Sequence, residues 1–478
     1  MGRPGPQGGQ YQPLTEAEVA QIHHASLRVL EQTGIQVEHG GALDLYRSGG
    51  ARIDGQRVTI RREMVDRALA SVPGQVLLAG REPDQDVVLE GKRVYLGTGG
   101  SPTQILDPGA TTLRPGTLSD LVDLARLAGR LEHCDFCVMP LYPSDVPEAD
   151  VPVNRFYACL AHSPKHVMGS VGSAKGAHQV AEMASLIAGG EAELRRRPIV
   201  SAVTSWMVSP LRLDTAVTDI LVEWCRLGLP VALSSAPMAG STSPVTLAGT
   251  LVQLHAEQLS GIVLTQLARP GTPVLAGYIP GVADLRGGGY LGGAIEFGMM
   301  QAAAAQLAYA CGVPIYGSGG MSDSKLPDVQ AGYEKMASLL LAAMGGCNYI
   351  HHAIGMVANM NAVSLEEAVI DDEIAGMVLR ALRGIGVTEH SLAVEAIERV
   401  GPGGHYLMDE HTLRFMRNEL YQPRLADRRN PAVWEADGRP EMRARAAARV
   451  HALLGEPART GLESGVDAAI RARFNILV

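Results

Sequence analysis

Aromatic residues and basic charge are both in short supply in this chain. Phenylalanine, tyrosine and tryptophan make up 4% of its 478 residues. Lysine and arginine number 41 against 50 aspartates and glutamates, for a formal net charge of −9. This acidic balance argues against a nucleic-acid partner and against a basic membrane-binding surface.

Long apolar runs and a targeting segment are missing as well. The sequence holds no stretch of about 18 uncharged apolar residues, so neither a transmembrane span nor a membrane partner is predicted. Residues 1–13 are rich in glycine and proline without the apolar centre of a signal peptide, which predicts a disordered leader. The six cysteines lie scattered in apolar contexts, as is typical of a reduced, cytoplasmic protein. Cys134 and Cys137 form a lone C-x-x-C, for which plain strand packing is favoured.

The apolar content of 46% is ample for a large core, and it is arranged as alternating strands and helices. Eight strand candidates lie at 94–97, 134–141, 166–170, 198–206, 230–236, 273–279, 314–318 and 347–353. Three of them begin with Gly-x-Pro, in which the glycine ends a helix and the proline starts a strand. Strands that alternate with helices predict a parallel sheet. Eight of them favour an α/β fold closed into a (β/α)8 TIM-type barrel.

The barrel is predicted to span residues 94–385, with an addition at each end. Residues 14–93 mix short β segments with helices, which predicts a small α+β N-terminal region. Its first helix is predicted to start at Thr15, which has capping-box spacing to Glu18. Residues 386–478 are richer in arginine and proline, and we interpret them as a helical C-terminal extension that wraps the barrel.

A barrel of this kind binds its ligand at the strand ends, where loops lead into the helices. Three of the few aromatic residues, Trp206, Tyr278 and Tyr316, fall at such ends. Aromatic faces attract a cation by roughly 0.5–2 kcal/mol each, so we predict that these rings form a cation-binding cage. The alternative, that some of the rings only pack loops, stays open.

The glycine-rich turn after the seventh strand is the most informative stretch of the chain. Gly319 and Gly320 let the backbone bend sharply or approach a ligand closely. Asp323 lies among the polar residues that come next, where a barrel contacts its substrate. Glu296, near a predicted helix start, either caps that helix or faces the mouth, and both interpretations stay open.

His351 and His352 end the eighth strand. Adjacent side chains of a strand point to opposite faces, so only one of the two is predicted to enter the barrel, and which one stays open. No second histidine and cysteine cluster with zinc spacing accompanies them in the sequence, so no bound metal is predicted. The sequence also lacks a dinucleotide fingerprint and a nucleophile elbow.

Several short segments, taken together, match one known family. They are Arg114-Pro115-Gly116-Thr117 with Asp120, Asp145-Val146-Pro147, Ser243 to Gly249, Glu257-Gln258-Leu259, Gly317 to Lys325 with Asp328, Gln330, Glu334 and Lys335, Asn348 to Gly355, and Gly404-His405-Tyr406 with His411-Thr412-Leu413. They span roughly residues 15–435. On them, the chain resembles the trimethylamine methyltransferase superfamily of corrinoid-dependent methyltransferases. The resemblance implies a (β/α)8 barrel, in agreement with the strand count.

The chain departs from that family at one position. Trimethylamine enzymes of the family carry pyrrolysine in the barrel, and its position maps within Ser318 to Ser322, where this chain has ordinary residues. The chain is therefore similar to the branch without pyrrolysine, which includes glycine betaine:corrinoid methyltransferases. The implied reaction, a methyl transfer of the kind used in methanogenesis, moves a methyl group from a quaternary amine to the Co(I) of a corrinoid protein.

The resemblance and the strand ends together suggest roles for individual residues. Catalytic roles are expected for Asp323, Glu296 and His351, and substrate contacts for Trp206, Tyr278, Tyr316, Gly319, Gly320 and His352. The corrinoid (cobalamin) is expected on a partner protein that docks over the mouth, and the chain is expected to be a homo-oligomer. Two alternatives stay open: a metal-dependent barrel hydrolase or lyase, and a non-catalytic quaternary-amine binding protein.

Overall fold

The computed structural model describes residues 2, 4–457 and 461–478 and is built around a closed barrel of eight parallel strands. The strands are β1 (Tyr95–Thr98), β2 (Phe136–Val138), β3 (His166–Gly169), β4 (Val200–Thr204), β5 (Val231–Ser235), β6 (Val274–Tyr278), β7 (Ile315–Ser318) and β8 (Tyr349–Ile354). They pair in chain order, and β8 closes the barrel against β1. The eight predicted strands and the (β/α)8 barrel are confirmed.

A helix follows each strand on the outside of the barrel. The helices are α1 (Leu118–Arg130), α2 (Val151–His162), α3 (Ala174–Ala188), α4 (Thr215–Leu227), α5 (Leu247–Ala268), α6 (Ile295–Ala310), α7 (Val329–Gly345) and α8 (Leu365–Leu382). The short helix Glu191–Arg196 lies between α3 and β4. The sequence pattern did not predict α2. Its residues are buried on almost every side, which removes the one-sided apolar period that identifies a surface helix.

The N-terminal region packs along α5 on the outside of the barrel, and its last two strands reach the barrel interior. It contains helices Glu16–Arg28, Gly40–Gly49 and Arg62–Ser71, the π-helical turn Val29–Thr33, and strands Ile35–Gln36, Arg52–Asp54, Arg57–Thr59, Val76–Leu78 and Val87–Leu89. The predicted capping box is present, since Glu18 Oε2 accepts the Thr15 N–H at 2.7 Å. The hairpin of the last two strands packs its apolar side chains against Tyr95 and Phe136 inside the barrel.

The predicted disorder of residues 1–13 is wrong for the described part of that segment. The Gly8 N–H donates to Lys92 O at 2.8 Å, and the Gly9 N–H donates to Met344 O at 2.7 Å. Pro6 O accepts from the Val94 N–H at 2.9 Å. The segment offers few apolar side chains to bury, so composition predicted disorder. Main-chain hydrogen bonds to the barrel hold it instead.

Short strands raise the rim at the opposite end. Gln104–Leu106, Leu113–Pro115, Met356–Val357 and Ala362–Ser364 form a four-stranded sheet, Met238–Ala239 pairs with Gly281–Val282, and Met207–Val208 and Arg212–Leu213 join the N-terminal sheet. All of these lie in loops that follow barrel strands, so they surround the mouth.

The C-terminal region is helical, as predicted. Its helices are Glu389–Leu392, Val394–Val400, Glu410–Glu419, Pro431–Ala436, Met442–Gly455 and Ser464–Arg471. Met442–Gly455 packs against α8 and α1, and Ser464–Arg471 packs against α3. Residues 385–420, here called the arm, remain largely exposed. Within the described residues, none of the helices has the length and hydropathy that crossing a membrane requires.

Candidate active site at the barrel mouth

Four rings stack inside the barrel and form an aromatic floor below the mouth: Phe136, Tyr316, Tyr349 and His351. The ring centroids of Phe136 and Tyr349 are 3.5 Å apart, and those of Tyr316 and Tyr349 are 5.6 Å apart. His351 stacks on Tyr316 at 4.1 Å. Gly97 on β1 makes room for this packing, because a Cβ there would lie 2.2 Å from the Phe136 ring. The stacked rings make the barrel interior below the mouth apolar and electron-rich, which suits a cation.

The two histidines of β8 lie together, which corrects the prediction that they would point to opposite faces. His352 has a φ of +66°, and the β8–β1 register shifts between Ile350 and Ile354. This bulge breaks the alternation of side chains, so the two imidazole rings lie side by side, tilted by 44°, with centroids 3.7 Å apart. His352 Nδ1 lies 2.8 Å from Ser318 Oγ.

Both imidazoles are held neutral. Burial lowers the pKa of His351 to about 3 and moves the pKa of His352 well below its ordinary value. His351 Nδ1 lies 2.6 Å from Gly317 O. A carbonyl oxygen only accepts, so Nδ1 carries the proton and Nε2 keeps a free lone pair. His351 is therefore a neutral acceptor at the floor.

Two carboxylates, Asp323 and Glu334, bring negative charge to the end of β7. Asp323 accepts the N–H groups of Gly292 and Gly293 at 3.0 and 3.2 Å. Glu334 accepts the Asp323 N–H at 2.9 Å. Burial raises the pKa of Asp323, opposed by the two amide donors, and the charge of Glu334 raises it further. The site is thus acidic on this side, and the catalytic role of Asp323 stays a prediction. In the sequence, Glu334 is marked only by the family resemblance.

The loop 281–294 covers these carboxylates. Its residue Tyr290 packs edge-on against Phe297 at 6.5 Å between centroids. Burial, and then the charge of Asp323, raise the pKa of the Tyr290 phenol, which stays protonated. Tyr290 adds an aromatic side chain to this side of the mouth. The sequence did not predict it, because Tyr290 follows a glycine cluster rather than a strand end.

Trp206 and Tyr278 do not line the mouth, so the predicted three-ring cage is wrong. The Tyr278 hydroxyl bonds to His255 Nδ1 at 2.7 Å on α5, and its ring is buried between the barrel and that helix. Trp206 is buried against Gly261 of α5. Tyr278 shares the side of β6 that carries Val274, so alternation along the strand turns it outward. Of the three predicted rings, Tyr316 alone faces the interior.

The glycines and Glu296 also take other positions than predicted. The Gly319 N–H donates to His351 O at 3.2 Å, and the Gly320 N–H donates to Ser338 Oγ at 3.1 Å. These amides are engaged within the protein and are not available to a substrate carboxylate. Gly320 has a φ of +75°, which explains the glycine through the turn itself. Glu296 is exposed in the first turn of α6, where it complements the helix dipole.

A buried arginine at the mouth escaped the sequence analysis. Arg155 of α2 is 1% exposed, and its Nε–H donates to Leu141 O at 3.1 Å. Its Nη1 lies 3.4 Å from Ser170 Oγ, and its Nη2 bonds to Ser101 Oγ. Burial lowers the pKa of Arg155 to about 10, so the guanidinium stays charged. The sequence signal for this buried charge is an arginine within the apolar run PVNRFYACLA.

The mouth opens to solvent above β3, β4 and β5. Ser170, Ser205 and Ala236 follow these three strands and are exposed, whereas the ends of β7 and β8 are buried. A ligand on the aromatic floor is therefore approached from this side.

Cys134 and Cys137 are free, buried thiols, which confirms the strand-packing interpretation. Within the part of the chain that the structure describes, one group of histidine and cysteine side chains is close enough to share a metal: His23, His255 and Cys311. It lies where helix Glu16–Arg28, α5 and the end of α6 meet, on the outer side of Tyr278, and contributes nothing to the mouth.

The fold and the site define a barrel with stacked aromatic rings and carboxylates at its mouth, and comparison with known proteins gives its class. A family model described as trimethylamine methyltransferase (MTTB) matches residues 5–475. A glycine betaine methyltransferase of Desulfitobacterium hafniense (strain Y51) is 35% identical over 97% of this chain and 96% of its own length. A trimethylamine methyltransferase MttB of Methanosarcina thermophila is 34% identical over 92% of each chain.

The chain is a methyltransferase and belongs to the trimethylamine methyltransferase family. The resemblance found in the sequence motifs is thereby confirmed, and it extends over almost the whole chain.

Proposed function

We propose that this enzyme moves a methyl group from a quaternary amine, glycine betaine or a related betaine, to the Co(I) of a corrinoid protein. The observation that carries the proposal is the aromatic floor beside Asp323 and Glu334. Stacked rings and carboxylates together attract a cation without needing an acid, a nucleophile or a bound metal.

The chemistry of a quaternary amine fits this arrangement. Its nitrogen carries a full positive charge and departs as a neutral tertiary amine, so the protein needs chiefly to hold the cation and aim one methyl group outward. Co(I) supplies the nucleophile that takes the methyl group. The ammonium lies next to the stacked rings of the floor, which include Tyr316, and Asp323 offsets its charge. His351, a neutral acceptor, contacts its polarised methyl groups.

The corrinoid partner is part of the same proposal. The opening above β3, β4 and β5 gives a docked partner protein direct access to the aromatic floor. This access supports a corrinoid that is carried by another protein.

Methylation of cob(I)alamin tests the proposed reaction. We expect glycine betaine or a related quaternary amine to convert Co(I) to methyl-Co(III), followed by absorbance, with free cobalamin or a corrinoid protein as acceptor. Trimethylamine, which lacks the leaving-group charge, should react far more slowly. If no betaine, carnitine or choline compound turns over with a competent corrinoid protein, the proposal fails. Comparable rates on trimethylamine would overturn the leaving-group argument.

We further propose a cytoplasmic homo-oligomer in which a second copy covers the arm. Ile385, Leu407 and Met408 are 86%, 76% and 74% exposed. The three arm helices are at most 10 residues long and bury Ala396 alone, too little to hold them by themselves. The arm therefore needs a permanent partner to cover its apolar side chains. A second copy of the same chain is always available for this.

Light scattering on the full chain tests the arm. The wild type should be at least a dimer, and the double substitution Leu407→Glu with Met408→Glu should shift it toward monomer. A monomeric wild type at micromolar concentration would contradict this assignment.

A further inference from the structure

We propose that Arg155 is an anion subsite of the mouth and that the substrate is therefore a quaternary amine bearing a carboxylate. The inference rests on the proposed function and deepens it, since a quaternary amine alone has no need of a buried cation. It separates betaines from choline-type substrates, which the aromatic floor does not.

The position of the guanidinium follows from its three partners. Ser101 follows β1, Leu141 follows β2 and Ser170 follows β3. β1 and β3 flank β2. Ser101 and Ser170, which follow β1 and β3, can both contact the guanidinium only if it lies over the end of β2. Arg155 thus brings its charge from α2 to the C-terminal edge of the barrel, beside the opening at Ser170. The ring of Tyr142 lies 5.0 Å from the guanidinium carbon and orients its plane.

The charge of Arg155 is unpaired within the protein. Its hydrogen-bond partners are one carbonyl and two hydroxyl oxygens, and among the described residues no carboxylate lies within the 4.0 Å of an ion pair. A guanidinium carries five N–H donors, of which these contacts use three. By contrast, Arg114, on the same rim, is bonded to Asp107 and Asp120 at 2.7 Å each. A buried charge without a counter-ion is costly, and a bound carboxylate removes that cost.

The two charged groups of a betaine then find different sides of the mouth. β2 and β7 are three strands apart in a closed barrel of eight, so their ends lie on different sides of the mouth. Asp323 and Glu334 follow β7, and Arg155 lies over the end of β2. A zwitterion bound across the mouth places its ammonium on the aromatic floor and its carboxylate on the arginine.

Equilibrium binding to the full chain, by calorimetry, tests the subsite with three probes. Glycine betaine carries the carboxylate, its methyl ester keeps the shape without the charge, and choline keeps the cation alone. We expect wild type to bind glycine betaine at least about ten-fold more tightly than the ester or choline. Arg155→Gln should weaken glycine betaine by about ten- to a hundred-fold and change the other two by less than about two-fold.

Two control variants distinguish a binding role of Arg155 from a purely structural role. Arg155→Lys keeps the charge and should retain part of the preference for glycine betaine. Arg114→Gln removes a rim arginine that is already paired and should leave the preference intact. Thermal melts establish that each variant is folded. If Arg155→Gln does not fold, the wild-type preference and Arg155→Lys still decide.

Three outcomes would overturn the inference. Equal losses for all three probes in Arg155→Gln would make the arginine structural. A wild type that binds the ester as tightly as glycine betaine needs no anion subsite. A wild type that demethylates choline but rejects betaines would refute the subsite and the betaine substrate, while methyl transfer from a quaternary amine to Co(I) would stand. If the wild type binds no quaternary amine at all, the proposed function fails and this inference fails with it.

Discussion

The two arcs of the barrel mouth each hold a buried cation, and the two cations are held in opposite ways. On the β7–β8 arc, Lys335 is fully buried, and its Nζ lies 2.9 Å from Asp371 and 3.5 Å from Glu367. On the β1–β3 arc, Arg155 is buried among neutral oxygen atoms. The protein itself supplies the counter-ion of Lys335. Arg155 has no counter-ion within the described residues and is available to pair with a ligand.

The difference assigns a structural role to Lys335 and a ligand-binding role to Arg155. Lys335 Nζ also donates to Gly320 O at 3.1 Å, so the ion pair fixes the glycine turn that leads to Asp323. Burial, and then the neighbouring Asp371, raise the pKa of Glu367, which leaves Asp371 as the counter-ion of Lys335. Asp371 accepts the Gly355 N–H at 2.7 Å and so ties in the end of β8. A paired ion of this kind supports geometry, whereas an unpaired one is available to a ligand.

The largest expected effect comes from breaking the paired cation. Lys335→Met removes the counter-ion of Asp371 and should lower the free energy of unfolding by about 3–5 kcal/mol, because a buried charge is left without a partner. Chemical denaturation of the full chain measures it. Lys175→Met, at an exposed position of α3, serves as control and should change little. A Lys335→Met variant as stable as wild type would remove the contrast between the two cations.

Neutralising the acidic side of the mouth should be the next largest effect. Asp323→Asn keeps the size of the side chain but removes the charge that faces the substrate ammonium. A charge-assisted contact of roughly 1.5–3 kcal/mol corresponds to a loss in kcat/KM of about ten- to a hundred-fold. Glu296→Gln, in the exposed first turn of α6, is the matched carboxylate control and should leave kcat/KM unchanged. Equal losses in both variants would mean that the general field of the mouth, not Asp323, attracts the cation.

The same carboxylate sets an expected pH dependence. Asp323 must be ionised to attract a cation, and burial raises its pKa above the ordinary value. Substrate affinity is therefore full at high pH and falls as the pH drops through that raised pKa. Arg155 stays charged throughout. The pH profile of kcat/KM should show an acid limb in wild type that Asp323→Asn lacks, and a limb that persists in the variant would assign it to another group.

The architecture was predictable because it depends on short-range patterns. Apolar runs marked the eight strands, three of which begin with Gly-x-Pro, and their number predicted the barrel. The site depended on details that no pattern in one sequence carries. The φ of His352 decides that both histidines lie together. The partners of Arg155 come from three loops that are distant in sequence and meet only when the barrel closes.

An aromatic face should contribute less than a charge. Tyr316→Leu keeps apolar volume on the floor while removing the ring that stacks on His351 at 4.1 Å. Losing one cation–π face costs roughly 0.5–2 kcal/mol, or about two- to thirty-fold in KM for the quaternary amine. Steady-state kinetics at constant pH, with folding checked by circular dichroism, measures the change. An unchanged KM would mean that the cation does not contact this part of the floor.

The smallest effect should come from the neighbouring tyrosine, and it should fall on stability alone. Tyr278 and Tyr316 occupy adjacent strand ends and give the same signal in sequence, yet they face opposite sides of the sheet. Tyr278→Phe removes one hydrogen bond to the buried His255, at a cost of about 1 kcal/mol. KM should not change, because the ring lies behind the barrel wall. Denaturation and kinetics on the two tyrosine variants together test the assignment. A rise in KM for Tyr278→Phe without loss of stability would place Tyr278 in the mouth after all.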